Sequence, residues 1–379
     1  MNRSGAVYQI LAVLFVVALL WVGLGTSANS TAIGVIGPLT GTAAPYGLSQ
    51  RNGVRLAIEQ INANGGLNRR PIEAVYVDDA NDKIKAAEAA KDLIYQRGVV
   101  AIIGAITSDN TMNVQRICEK AEVPLLTAIS TNPFITRVNF RYSFRCLSDD
   151  DIQADTLARY TVQTMRLTRV AIVHDSNKYG SQGARTYKGI AERMGQSIVA
   201  NESYEGGTMN FRESLEKIRQ LNPDGLLIWG LVRESALLAR QAREMGITAT
   251  IFGGDGMAPT AFLDLAGGAA EGTVLTYPFN PMRGGEKTRG FLEAFRKRYD
   301  SEADSFAAHS YDAMMLIFEA MKSGGDDPRR VRDALAGFVG YEGVTGRGGF
   351  DPTGNETRPV ELAKVKDGRF VAIQGGNAQ

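Results

Sequence analysis

Short β-branched runs alternate with amphipathic stretches along nearly the whole chain. In the first part, "TAIGVIG" (31–37), "IEAVYVDD" (72–79), "VVAIIG" (99–104) and "VPLLTA" (123–128) read as strands. Between them Val54, Ala57, Ile58 and Ile61 keep helical spacing, as do Ala86, Ala90, Leu93 and Ile94. Repeated βαβ units of this kind predict a parallel sheet with helices on both faces. The pattern then restarts with "RVAIVHD" (169–175), "QSIVANESY" (196–204), "DGLLIWG" (224–230) and "ATIFGGD" (249–255), with helices expected near 180–194, 211–220 and 233–245. Two series of about four or five strands predict two lobes. Two helical stretches follow, near 285–299 and 304–323, then a turn-rich tail with "GRGGFDPTGN" and the hairpin-like "VELAKVKDGRFVAI". That tail is too short for a third domain, so the chain must cross between lobes more than once.

In open parallel sheets ligands sit outside the carboxyl ends of the strands. Two segments there share one plan: "VIGPLTGTAAPYGLSQRNGVRLA" (35–57) and "VHDSNKYGSQGARTYKGIA" (173–191) each run from strand through loop to a Tyr-Gly pair and a helix. Tyr46 and Tyr179 would line opposite walls of one cleft. "GAITSDN" and "TAISTNPF" place Ser108 and Thr131 after neighbouring strands, where hydroxyls and free helix N–H groups favour an anion; such residues also serve simply as caps. Asp255 in "IFGGDGMAP" is placed either to reach a cation across a closing cleft or to form an Asx-type turn.

Composition narrows the class. With 379 residues, 44% of them hydrophobic, the chain can build two cores. Arg3, an apolar run over 10–25 and "TSA" ending at Ala28 predict a secretory leader at 1–28, the alternative being an uncleaved anchor. The formal net charge is +1 and Arg3 is the leader's one charge, so the mature surface is balanced and offers nothing for nucleic acid to grip. Export puts Cys118 and Cys146 where they could pair, which would stabilise by about 3 kcal/mol; two buried free thiols are as good a reading. Gly34, Gly37 and Gly41 lack dinucleotide-loop spacing, there is no Walker A loop, and "GSQG" (180–183) is not a nucleophile elbow. His174 and His309 are the only histidines, neither at metal-ligand spacing, and "DDAND" (78–82) reads as a polar loop and helix cap. Neither a cofactor, a metal nor catalysis is expected; a secreted hydrolase using the cleft is the minor alternative.

With these residues in view, the chain resembles the periplasmic branched-chain amino-acid-binding family, the type I substrate-binding proteins of ATP-driven (ABC) importers. The resemblance rests on "IGPLTGTAAPYG", "GVRLAIEQINANGGLNRRPIE", "VDDANDKIKAAEAAKDLI", "LLTAISTNP", "DSNKYGSQGA", "GGDGMAP" and "SFAAHSYDA" in that order. It implies an α/β fold of two Rossmann-like lobes joined by three crossovers, here 29–147 plus 277–357 and 148–276 plus 358–379, closing on a ligand. It implies a periplasmic, monomeric, non-enzymatic receptor that hands an amino acid to a membrane permease. By matching motifs, the ligand carboxylate meets Ser108, the backbone at Ile129 and Thr131. The ammonium meets Asp255, where the family usually has Glu, and Tyr46, Tyr179 and Phe306 enclose the side chain. Where such binders often carry tyrosines after a lobe-two strand, this chain has "GLVRES" (230–235). A short amide, urea or aromatic acid is the alternative ligand.

Overall fold

A computed structural model describes residues 30–282, 284–356 and 358–373; the expected leader, 1–28, lies outside them. The first strand series forms a five-stranded sheet in the order β2-β1-β3-β4-β5, with β1 (Thr31–Gly37), β2 (Ile72–Asp78), β3 (Ile102–Ile103), β4 (Leu125–Thr127) and β5 (Ser143–Arg145). All four pairings are parallel, and the first three connections are the helices α1 (Ala44–Ala63), α2 (Lys83–Tyr95) and α3 (Ser108–Ala121). β3 is shorter than the expected 99–104, although the Val100 N–H still reaches Ala32 O and the Gly34 N–H reaches Ala101 O.

Alternate strand residues serve opposite faces of this sheet. Ile33, Val35, Ile103 and Leu126 join one core cluster, while Ile36, Ile102 and Leu125 join another beneath α2 and α3. This settles the cysteine question. Cys146 belongs to the first cluster and Cys118 to the second, both are buried, and both are free. The pairing entertained from sequence is therefore not made, because the sheet lies between the two thiols. Burial pushes both thiols well above their ordinary range.

The second sheet has seven strands rather than four or five, in the order β14-β13-β10-β9-β8-β6-β7. Its parallel part is β6 (Arg169–Asp175), β7 (Ser197–Tyr204), β8 (Gly225–Trp229), β9 (Thr250–Gly253) and β10 (Val274–Tyr277). The tail hairpin, β13 (Glu361–Lys366) and β14 (Arg369–Ala372), then adds antiparallel to β10 and accounts for the excess. A small separate hairpin joins β11 (Tyr341–Gly343) to β12 (Gly346–Gly348). The helices of this half are α4 (Asp150–Arg159), α5 (Lys178–Arg193), α6 (Arg212–Leu221), α7 (Val232–Glu244) and α8 (Ala261–Ala266).

After β10 the chain returns to the first sheet through α9 (Glu286–Tyr299), α10 (Ser305–Gly324) and α11 (Pro328–Ala336). Tyr299 donates to Asn52 O and Tyr311 to Gln60, both on α1. The chain thus passes between the sheets three times: after β5, after β10 and before β13. Ser148 Oγ donates to Arg358 O at 2.8 Å, tying the first passage to the third. Arg145, fully buried at the start of the first, donates to Asn132 O and Asn355 and pairs with Asp149 at 3.4 Å. No helix among the described residues is long and apolar enough to cross a membrane.

Candidate functional site

Each Tyr-Gly pair is built so that the glycine sets its tyrosine. A Cβ on Gly47 would stand 1.9 Å from Pro38 O, and one on Gly180 would stand 2.3 Å from Asp175 O. Only glycine lets the strand-end carbonyl lie against the first turn of the helix, and that contact turns the preceding tyrosine inward. Pro45 lies in the first turn of α1, and Asn177 caps α5 by accepting from Gly180 N at 2.8 Å.

The two tyrosines converge between the sheets. Tyr46, buried on the first half, donates to Gly256 O at 2.6 Å and accepts from Val232 N at 2.8 Å. Val232 opens α7, whose N-cap Leu231 makes no side-chain cap bond; its N–H is one of the orphan donors of the first turn, and the tyrosine hydroxyl satisfies it across the cleft. Tyr179 donates to Asp255 Oδ1 at 3.0 Å and accepts from Gly256 N at 2.8 Å. Phe306 meets Tyr46 edge-on at 5.3 Å; it rides on α10, which Asp304 caps while accepting from Ser49 of α1.

All seven residues expected at the site line one cavity: Tyr46, Ser108, Ile129, Thr131, Tyr179, Asp255 and Phe306. Ser108 is the first residue of α3, a helix whose cap residue Thr107 makes no side-chain cap bond; its Oγ accepts from Asn132 N at 3.3 Å. The Ile129 N–H points at Thr127 Oγ1 over 3.4 Å, a long contact that a better acceptor would replace. The cavity measures about 20 Å³, room for roughly one water. The cleft is shut.

Asp255 carries the electrostatics. It is 2% exposed, and its Oδ2 has no hydrogen-bond partner. Burial pushes its carboxyl up to about 6, against the hydrogen bond from Tyr179. Behind it stands Asp150, also fully buried, raised well above the carboxylate range by burial and then by the charge of Asp255. Two buried acids side by side resist sharing two negative charges. A cation in the cavity beside Asp255 would relieve that repulsion.

Sequence reasoning missed Asp150, Gln153 and Leu231. Three successive aspartates have three fates: Asp149 caps α4, Asp150 turns inward and Asp151 pairs with Arg137. Nothing in "SDDDIQ" marks which one is buried. Leu231 lay within the departure at 230–235 and carried the one usable signal. The histidines stand elsewhere: His174 Nδ1 contacts Asp175 O at 2.8 Å, and His309 Nδ1 contacts Ser305 O within α10. "DDAND" does supply the expected cap, Asp82, which accepts from Ile84 N and Lys85 N.

Comparison with known proteins follows the same lines. The family model for periplasmic binding proteins matches residues 30–369. A leucine-, isoleucine-, valine-, threonine- and alanine-binding protein of Pseudomonas aeruginosa is 30% identical over 330 residues, covering 87% of this chain and 88% of its own. Among solved structures, a branched-chain amino-acid transporter substrate-binding protein of Streptococcus pneumoniae in complex with isoleucine superposes with a TM-score of 0.86 at 28% identity, over 90% of this chain and 98% of that one. A leucine-binding protein of Thermotoga maritima gives 0.86 at 26% identity, over 90% and 97%.

Proposed function

The chain belongs to the periplasmic binding protein family, and from that premise we propose that it captures a small amino acid, branched-chain or similar, between two lobes outside the cytoplasm and delivers it to an ABC permease. The lobes are taken as 29–147 with 277–357 and 148–276 with 358–379, the protein working as a monomer behind a leader at 1–28. One observation carries the reading: a buried carboxylate with a free oxygen, Asp255, shares a cavity with Ser108 and Thr131 at the uncapped start of a helix.

A zwitterion matches that arrangement at both ends. Its carboxylate takes the Ser108 and Thr131 hydroxyls, the Ile129 N–H and the positive end of α3. Its ammonium takes Asp255 Oδ2. Tyr46, Tyr179 and Phe306 wall in the side chain. In a closed, dry cleft these charge-assisted bonds are stronger than neutral ones. No chemistry on the ligand is needed for this role.

Calorimetry on the mature protein with a panel of amino acids tests the reading. A branched-chain amino acid should bind, and Asp255→Ala should cost about 2–5 kcal/mol of affinity, enough to take a micromolar complex out of range. An Asp255→Ala protein that keeps wild-type affinity would remove the ammonium assignment.

A further inference from the structure

Beyond that small cavity lies a second, larger one of about 710 Å³, where the two halves again face each other. Its walls are acidic: Asp82 and Asp109 come from the first half, and Asp175, Glu205 and Glu234 from the second, while Lys83 is its one lysine and it has no arginine. None of these five carboxylates takes part in an ion pair among the described residues. Asp175 and Glu234 are 2% and 3% exposed, with only backbone donors for company: Asn177 N on Asp175 and Gly207 N on Glu234. Burial, then Glu234, Glu205 and Asp109, push the Asp175 carboxyl up to about 6.

One residue lines both cavities: Leu231. It is the N-cap of α7, with its backbone held by the Ser235 N–H and by the neighbouring bond from Val232 N to Tyr46. Its side chain is only partly buried and packs against core residues on both sides of the second sheet. Resting on the amino-acid reading above, we infer that Leu231 sets the length and charge of the accepted ligand, its isobutyl group partitioning the ligand cavity from an acidic antechamber. While the partition stands, a cationic side chain meets hydrocarbon and loses its hydration without finding a carboxylate, so basic amino acids are excluded. Shortening the partition joins the two spaces and lets a long side chain place its cation beside Glu234 and Asp175.

The test is calorimetry with leucine, norleucine and lysine on wild type, Leu231→Val, Leu231→Ala and Leu231→Ala/Glu234→Gln, each first checked by thermal melting. Wild type should bind leucine and refuse lysine. Leu231→Ala should bind lysine at least roughly tenfold more tightly than wild type does, with norleucine, the same carbon chain without the ammonium, gaining less. Leu231→Val should fall between, and adding Glu234→Gln should remove most of the lysine gain. If Leu231→Ala gains nothing for lysine, or gains equally for norleucine and keeps the gain with Glu234→Gln, the partition is refuted while the amino-acid reading stands. A wild type that binds none of the three and no other amino acid sinks both.

Discussion

At the scale of single residues, Asp255 decides most. Its carboxyl has a folded value of about 6 against an ordinary 3.8, so between those values the folded chain holds a proton that the unfolded chain has lost. Its contribution is therefore most favourable below the window and falls as pH rises through it, leaving a burden at neutral pH. Asp255→Asn should lift that burden, raising the stability of the ligand-free protein at pH 7.5 by up to about 3 kcal/mol in urea unfolding, with the gain vanishing near pH 3. The same variant should lose amino-acid binding. In the wild type the ammonium needs the charged acid, so affinity should fall by roughly tenfold per pH unit below about 6. An Asp255→Asn chain no more stable than wild type at pH 7.5 would mean that the acid is not confined as described. Five of the seven cavity-lining residues expected at the site, Tyr46, Ser108, Thr131, Tyr179 and Asp255, were legible from local signals: strand-end hydroxyls, Tyr-Gly pairs and an acid between glycines; Ile129 and Phe306 came only with the family resemblance. Asp150 was not legible, because its meaning comes from a neighbour about a hundred positions away.

At the scale of elements, the site depends on how tightly strand ends abut helix starts. Gly47→Ala would drive a methyl into Pro38 O, so the loop must shift and Tyr46 with it. The expected result is a loss of about 1–3 kcal/mol in stability together with weaker binding, read by thermal melting and titration. An unchanged affinity would show that Tyr46 is not held by this contact. Strands with short continuous apolar runs, such as β6 and β8, were legible to within a residue or so. β5 and α4 were not, since "SFR" is too short to show a period and "DDIQADTLAR" is mostly polar. The sixth and seventh strands escaped because a hairpin's sequence does not say which sheet edge it will join.

At the scale of the whole molecule, the three passages between sheets make opening and closing a motion of two bodies about a narrow waist. That waist is held by Arg145 and by the bond from Ser148 to Arg358 O. The closed seam is bonded across by Tyr46, and by Asn132 Nδ2 to Lys178 O at 2.8 Å. With about 20 Å³ inside, an amino acid enters only if the halves part or the lining side chains move. Binding must then replace the contacts of the Tyr46 hydroxyl with contacts of its own, so affinity reports the difference between two closed arrangements. The most direct test is a crystal structure of the mature protein grown with leucine or isoleucine. The predicted result puts the ammonium within hydrogen-bonding distance of Asp255 Oδ2, with the carboxylate on Ser108, Thr131 and the Ile129 N–H. A ligand held in the cleft with Asp255 turned away from its nitrogen would contradict it.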